Sequence, residues 1–219
     1  MLPCGERAIL VEVDDVDEVL ALTAAMRADG ECAAVVAELV PAARTVLIEA
    51  QDGVQLDDLT AFVTTVAEGT AAGTAVSSGE EVRVPVRYDG PDLADVAAAT
   101  GLSVTDVIAL HTGALWRAAF GGFAPGFAYL VGGPAELAVP RRRESRTAVP
   151  PGSVALAGGY SAVYPAESPG GWQLIGTTDV PLWDVHRDPP ALIRPGTLVR
   201  FVDAAAADGP ADAREAQTG

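Results

Sequence analysis

The stretch VPPGSVALAGGYSAVYPAESPGGWQLIGTTDVPLWD, Val149 to Asp184, decides the fold class of this chain. Its PPG, GG and SPGG steps interrupt short apolar runs such as Val154 to Ala157 and Leu174 to Ile175. The wider segment 121–176 holds 11 of the 23 glycines and 7 of the 16 prolines. Closely spaced turns between short apolar runs are typical of a β-barrel or β-sandwich, and they argue against a parallel α/β sheet.

The sequence before this stretch predicts one strand and two short helices. Val82 to Val86 alternates as a strand does, and Pro91 to Ala99 reads as a helix. A second helix over Ser103 to Thr112 opens with a capping box formed by Ser103 and Asp106.

The first 70 residues alternate between strand and helix patterns. The predicted order is a strand over Ala8 to Val13, a helix capped by Asp14 or Asp15, strands over Ala34 to Leu39 and Thr45 to Ile48, and a helix ending near Gly69. We therefore expect an α+β protein: a small N-terminal α/β sandwich over residues 1–70, a linker over 71–80, a barrel domain over 81–202 and a disordered acidic tail over 203–219.

Charge and residue usage exclude several classes of function. The net charge is -16, and residues 1–80 alone carry -12, which disfavours nucleic acid and anionic membrane as partners. The 14 basic residues are all arginine, so a lysine Schiff base and a Walker A loop are absent from this sequence. Two separated cysteines and two histidines indicate no metal site. With neither a signal-peptide pattern nor a run of about 20 apolar residues, we expect a soluble, cytoplasmic protein.

Two neighbouring features are candidates for a site. His111 shares a helix face with Val104 and Val107, which fits either a core histidine or one at the edge of a site. It is followed by GFAPGFAYL, Gly122 to Leu130, whose glycines and proline let a ligand approach main-chain amides. The alternative is a tight turn that packs its aromatic side chains into the barrel.

A cluster of arginines, at positions 141, 142, 143 and 146, has only Glu144 as an adjacent carboxylate. Guanidinium groups held together repel unless an anion or an acidic partner surface neutralises them. The cluster indicates either such a site or an ordinary solvated loop. The glycine steps of Val149 to Asp184 can present amides to an oxyanion.

The segments HTGALWRAAFGGFAPGFAYL, PRRRESRTAVPPGSV, AGGYSAVYPAESPGGWQLIGTTDVPLWD and RPGTLVRF, in this order, resemble the family of the 5-oxoprolinase B subunit, KipI and allophanate hydrolase subunit 1. The resemblance is strong over residues 81–202 and architectural over the first 70. It implies that the barrel is cyclophilin-like.

The resemblance also implies a function. Members pair with a larger cyclophilin-like subunit, known as the C subunit of 5-oxoprolinase or allophanate hydrolase subunit 2, and with the A subunit, and such complexes use ATP to open 5-oxoproline to glutamate. ATP can then bind this chain or a partner. The alternatives are a carboxyltransferase or allophanate hydrolase component that acts on urea-derived substrates, and a KipI-like inhibitor of a histidine kinase.

Residue roles follow from the same resemblance. His111 is expected to orient a reacting group as the catalytic residue. The expected substrate- and anion-binding residues are Arg141, Arg142, Arg146, Phe123, Pro125, Gly126, Phe127, Tyr160, Ser161, Gly170, Gly171 and Thr177. The sequence departs from the family pattern at four of its positions: Ser145 replaces Pro, Tyr160 replaces Gln, Ser161 replaces Thr, and Thr177 replaces Arg. If the replaced Gln and Arg contact the ligand, the substrate differs from 5-oxoproline.

Overall fold

The computed structural model describes residues 1–70 and 80–207. The described residues divide into two compact units, one formed by residues 1–70 and 119–122 and the other by residues 80–118 and 123–207. The predicted linker over 71–80 lies, except for Glu80, outside the described residues.

The N-terminal part of the chain is an antiparallel sheet with helices packed on it. Its elements are β1 (Leu2–Cys4), β2 (Ala8–Glu12), α1 (Val16–Ala28), α2 (Cys32–Val35), β3 (Val36–Pro41), β4 (Thr45–Ala50) and α3 (Leu56–Gly69), and the strand order is β1-β2-β4-β3. Asp15 caps α1 by accepting from the backbone N–H groups of Asp17 and Glu18. Strand β1 was not predicted, because its residues are exposed and only the pairing with β2 makes them a strand.

From Glu81 onward the chain is mostly short strands, as its turn pattern predicted. The elements are β5 (Glu81–Val86), α4 (Leu93–Thr100), α5 (Val104–Gly113), β6 (Trp116–Gly121), β7 (Ala128–Val131), a 3-10 turn (Ala135–Leu137), β8 (Arg146–Val149), β9 (Ser153–Ala157), β10 (Tyr160–Val163), β11 (Ser168–Gly170), β12 (Gln173–Thr177), β13 (Leu198–Asp203) and α6 (Ala204–Ala207). The capping box of Ser103 and Asp106 opens α5, which confirms that prediction.

Seven of these strands form one sheet, in the order β12-β9-β10-β7-β6-β13-β5. Its two edge strands meet, since Arg87 and Thr177 exchange backbone hydrogen bonds of 2.8 Å each. The sheet is therefore nearly closed into a barrel, and the α+β class with a barrel is confirmed. Strands β8 and β11 pair separately as a two-stranded ribbon.

The barrel strands have two apolar faces. Alternate residues such as Leu130, Leu156 and Phe201 belong to an interior cluster supplied by every strand of the large sheet. The residues between them, such as Tyr129 and Ala157, belong to an outer cluster with Val149 of the ribbon and others. A strand exposes side chains to both sheet faces, so an apolar outer face must be covered or must bind something.

The predicted disordered tail needs one correction. Asp203 ends β13 and residues 204–207 form the short helix α6, because Asp203 accepts a hydrogen bond from the backbone of Ala205 and four alanines favour helix. Residues 208–219 lie outside the described residues. In the described ranges, no single helix has the length and apolarity to cross a membrane, and only the pair α4 and α5, bent by 93°, passes the length and composition test jointly.

Candidate functional site: an aromatic cavity on the outer face of the barrel

A cavity of about 420 Å³ opens on the outer face of the barrel. Six aromatic side chains line it, together with one cation and several small or rigid residues. The lining residues are Phe123, Phe127, Tyr129, Tyr160, Tyr164 and Trp172, with Pro140, Arg141, Ala157, Gly158, Pro169 and Gly170.

Strand alternation explains why these rings meet. Tyr129 lies on β7 and Tyr160 on β10, both facing outward, and their rings contact edge-on at 5.8 Å. Phe127 sits at the centre, with its ring centroid 5.1 to 5.7 Å from those of Tyr129, Tyr164 and Trp172. Edge-to-face packing of this kind holds each ring in a defined orientation. The cavity walls are therefore preformed.

The ribbon backbone passes directly over Tyr164. A Cβ atom added to Gly170 would collide with the hydroxyl group of the buried Tyr164, so glycine is required unless that ring moves. This close approach fixes the position of β11 along one wall of the cavity.

Arg141 gives the cavity a positive charge. Burial raises the pKa of the Tyr164 hydroxyl, while the nearby Arg141 guanidinium, the backbone hydrogen bond from Trp172 and the charge of Arg146 partly oppose that rise. Burial likewise raises the pKa of Tyr160. Both phenols are thus neutral near pH 7. The arrangement suits a flat ring that carries an anionic group.

Two of the other clustered arginines have a carboxylate partner within the chain. Asp92, only 1% exposed, accepts from Arg142 Nη1 at 2.6 Å and from Arg146 Nη2 at 2.7 Å. Its second oxygen accepts from the backbone N–H of Leu174 at 2.7 Å. The sequence pattern allowed an anion, an acidic partner surface or solvent around this cluster, and it did not indicate Asp92, because Asp92 is about fifty positions away in the sequence.

The Asp92 anchor ties the ribbon to the barrel. Arg146 begins β8, the Arg142 backbone N–H donates to the Gly171 carbonyl, and Leu174 belongs to β12. Two guanidiniums share one carboxylate, so one positive charge is left over. Within residues 1–70 and 80–207, the buried Nε of Arg142 and Nη1 of Arg146 have no hydrogen-bond acceptor.

His111 lies in the barrel interior and does not line the cavity. It is fully buried and stacks on Phe201 with ring centroids 4.3 Å apart. Its Nδ1 is 2.7 Å from the Tyr88 hydroxyl, and its Nε2 is 3.0 Å from the Ser161 hydroxyl. Burial lowers the pKa of His111 to about 3, so the imidazole is neutral. Such a group orients its neighbours and carries no charge to a ligand.

The structure brings together only some of the other residues expected at the site. Phe123, Phe127, Tyr160, Arg141 and Gly170 line the cavity. The others lie elsewhere: Ser161 faces the interior beside His111, Thr177 donates to Asp89 at the barrel seam, Gly126 next to Pro125 packs against Leu182 and Trp183, and Gly171 packs against Ser145.

Sequence reasoning missed half of the cavity. Tyr164, Trp172, Pro140, Ala157, Gly158 and Pro169 also line it, and Tyr129 was predicted only as a packing residue of the turn. One signal was available for Tyr164: it follows Tyr160 by four positions, and strand alternation places both on one face. In the described part of the chain, no group of three metal-ligating side chains occurs.

Comparison with known proteins identifies the family. Residues 1–193 match the family model "Carboxyltransferase domain, subdomain C and D". The chain belongs to this carboxyltransferase-domain family. A protein named as the B subunit of 5-oxoprolinase, from Escherichia coli O157:H7, is 51% identical over 124 residues, which are 55% of this chain and 57% of that relative. The protein of the same name from Bacillus subtilis (strain 168) is 44% identical over 124 residues, 55% of this chain and 52% of that relative. The match spans little more than half of each relative.

Solved structures share the fold. The structure of TTHA0988 is 35% identical with a TM-score of 0.73, covering 93% of this chain and 40% of that one. The structure of the Kluyveromyces lactis urea carboxylase is 20% identical with a TM-score of 0.67. This match covers 90% of this chain and 21% of the urea carboxylase chain. At that identity the likeness concerns the fold alone.

Proposed function

We propose that this chain is the ligand-binding small subunit of an ATP-dependent 5-oxoprolinase complex. The observation that carries the proposal is the aromatic cavity with Arg141 on its wall, found in a chain whose relatives are named as 5-oxoprolinase B subunits. In this proposal the cavity receives 5-oxoproline, a five-membered lactam that carries one carboxylate.

The chemistry of the cavity supports such a ligand. A lactam ring is flat, so the faces and edges of Phe127, Tyr129 and Trp172 can enclose it. The guanidinium of Arg141 can pair with the carboxylate by two parallel hydrogen bonds. The residual positive charge of the Asp92 anchor, near Tyr164 through Arg146, adds attraction for the same group.

The chain's part in the reaction is then binding and orientation. A lactam is resonance-stabilised, and transfer of a phosphoryl group from ATP to its oxygen would release ADP and activate the carbonyl carbon. Attack of water on that carbon, with cleavage of the ring C–N bond, would then give glutamate and release inorganic phosphate. Enclosure of the ring would exclude water until that step. His111 acts as a positioning residue: through Ser161 it holds β10, whose next outward residue is Tyr160.

We assign ATP to a partner protein of the complex. The open cleft beside Arg142 and Arg143 is also lined by Asp95 and Glu144, whose charges oppose those of a triphosphate. The proposed partners are the larger cyclophilin-like C subunit of 5-oxoprolinase and its A subunit. We propose a cytoplasmic location for the complex.

A carboxyltransferase role is the second candidate, and the family model favours it. These 219 residues contain no lysine to which biotin could be attached, so the biotin would have to be carried elsewhere. The ligand would then be a urea-derived acid, which the same arginine could hold.

The deciding experiment measures glutamate and ADP release from 5-oxoproline and ATP by the chain copurified with its partner subunits. Arg141→Ala should lower kcat/KM for 5-oxoproline at least about tenfold, as expected for a lost charge-assisted hydrogen bond. Arg143→Ala, a matched change outside the cavity, should leave it unchanged. An assembled complex that leaves 5-oxoproline intact but turns over a urea-derived acid would replace the first proposal with the second.

A further inference from the structure

Phe123 has an unusual backbone at the mouth of the aromatic cavity. Of the residues in the described ranges, it is the one non-glycine with a positive φ, at +69°. The left-handed region brings Cβ too close to the following carbonyl, and bulky side chains rarely occupy it. Glycine would make the same turn without strain.

Burial of the Phe123 ring does not offset this strain. Phe123 is 58% exposed, which is the largest exposed fraction of any aromatic residue in the described ranges. Two features of Phe123 therefore lower the stability of the folded chain: its strained backbone and the exposure of its apolar ring to water. Strain of this kind persists at ligand-binding positions, where it serves the bound state.

The loop holds Phe123 over the cavity. The Phe127 backbone N–H donates to the Ala124 carbonyl at 3.0 Å, which closes the turn. Gly126, at φ +82°, lets the loop lie against Leu182 and Trp183. The Phe123 ring then contacts Phe127 and Tyr164 edge-on, at centroid distances of 5.2 and 6.1 Å.

We infer that Phe123 is a specificity-determining residue, whose ring covers the ring of a bound cyclic carboxylate and so selects it over an open-chain acid of the same charge. The inference rests on the proposed function and deepens it. Arg141 recognises the carboxylate of either kind of ligand, whereas Phe123 contacts the part of the ligand where ring and open chain differ.

The test compares 5-oxoproline with N-acetylalanine, which has the same amide and carboxylate but no ring. Affinities are measured by calorimetry without ATP, on the full chain assembled with its partner subunits. Phe123→Ala should weaken 5-oxoproline binding about fivefold, the typical contribution of one aromatic contact, and should leave N-acetylalanine binding within about twofold. Phe123→Leu should fall between Phe123→Ala and the natural chain.

Arg141→Ala separates the two proposals, because it should weaken both ligands alike. Suppose that the natural chain binds both ligands but Phe123→Ala changes neither affinity, or changes both equally. The role of Phe123 is then overturned, while the proposal that the cavity binds 5-oxoproline is retained. If the natural chain binds neither, the proposed function fails, and the inference with it. The backbone strain at Phe123 is tested separately by urea unfolding. Phe123→Gly should unfold at a higher urea concentration than Phe123→Ala, because glycine adopts a positive φ without strain, and the reverse order would contradict the strain.

Discussion

Strand β10 separates two regions that use similar residues for different purposes. On its inner side, the buried Ser161 and His111 join the half-buried Tyr88 in a neutral hydrogen-bonded network. On its outer side, Tyr160 lines a cavity that carries the charge of Arg141. The interior satisfies its polar groups with one another, which stabilises the fold. The outer face keeps rings and a cation at a surface that a ligand can reach. His111, which is buried and hydrogen-bonded at both ring nitrogens, therefore belongs to the framework.

Replacement of His111 by alanine should have the largest effect on stability. It removes the stack on Phe201 and leaves the Tyr88 and Ser161 hydroxyls without their partner, which we expect to cost about 4 kcal/mol. Urea unfolding of the full chain measures this loss. His111→Gln, which keeps polar atoms in place, should lose less. A His111→Ala variant as stable as the natural chain would contradict the framework role of His111.

Asp92→Asn should have the next largest effect. It removes the only carboxylate on Arg142 and Arg146 in the described part of the chain, and breaking a buried pair of this kind costs about 3 kcal/mol. Asp95→Asn, on the exposed side of the same helix, is the matched control and should change the free energy of unfolding by less than about 0.5 kcal/mol. If Asp92→Asn changed the free energy of unfolding as little as Asp95→Asn does, the Asp92 anchor would not contribute to stability.

Acid should destabilise the chain through His111. The unfolded chain binds a proton on this residue near pH 6.5, whereas the folded chain resists it down to a pKa of about 3. Stability from this group is therefore complete above pH 6.5 and falls as the pH drops, by roughly 1 kcal/mol for each pH unit. Urea unfolding between pH 6.5 and 5, above the range of ordinary carboxylates, measures the slope. The slope should vanish in His111→Gln; its persistence would assign it to another group.

Substitutions of the two neighbouring residues Ser161 and Tyr160 on β10 should have the smallest effects, and these effects should differ in kind. Ser161→Ala should lower stability by about 1 kcal/mol, because it leaves His111 Nε2 unpaired. Tyr160→Gln, which restores the family residue, should leave unfolding nearly unchanged and shift the affinity for 5-oxoproline severalfold. Calorimetry and urea unfolding on both variants check this. A Tyr160→Gln variant that loses stability as Ser161→Ala does would remove the distinction between the two faces.

Much of the fold followed from local patterns. The turn chemistry of Val149 to Asp184 predicted short strands, and the capping box at Ser103 marked the start of α5. The site was only partly predictable. Aromatic residues of GFAPGFAYL and the first glycine of SPGG line the cavity, whereas Arg142 and Arg146 pair with Asp92. A carboxylate fifty positions away gives no local signal, so the charge balance of that cluster could not be foreseen.

Local patterns predicted most of the element types and the barrel class, because hydrophobic period, caps and turn residues act over a few positions; β1 and α2 are exceptions. These patterns do not show which face of each barrel strand points inward, because both faces are apolar and alternation does not distinguish them. The inward direction of His111 and Ser161, and the convergence of Tyr160, Tyr164 and Trp172 outside, are visible in the three-dimensional structure alone. Sheet closure sets that choice, and closure depends on contacts between strands that are distant in the chain.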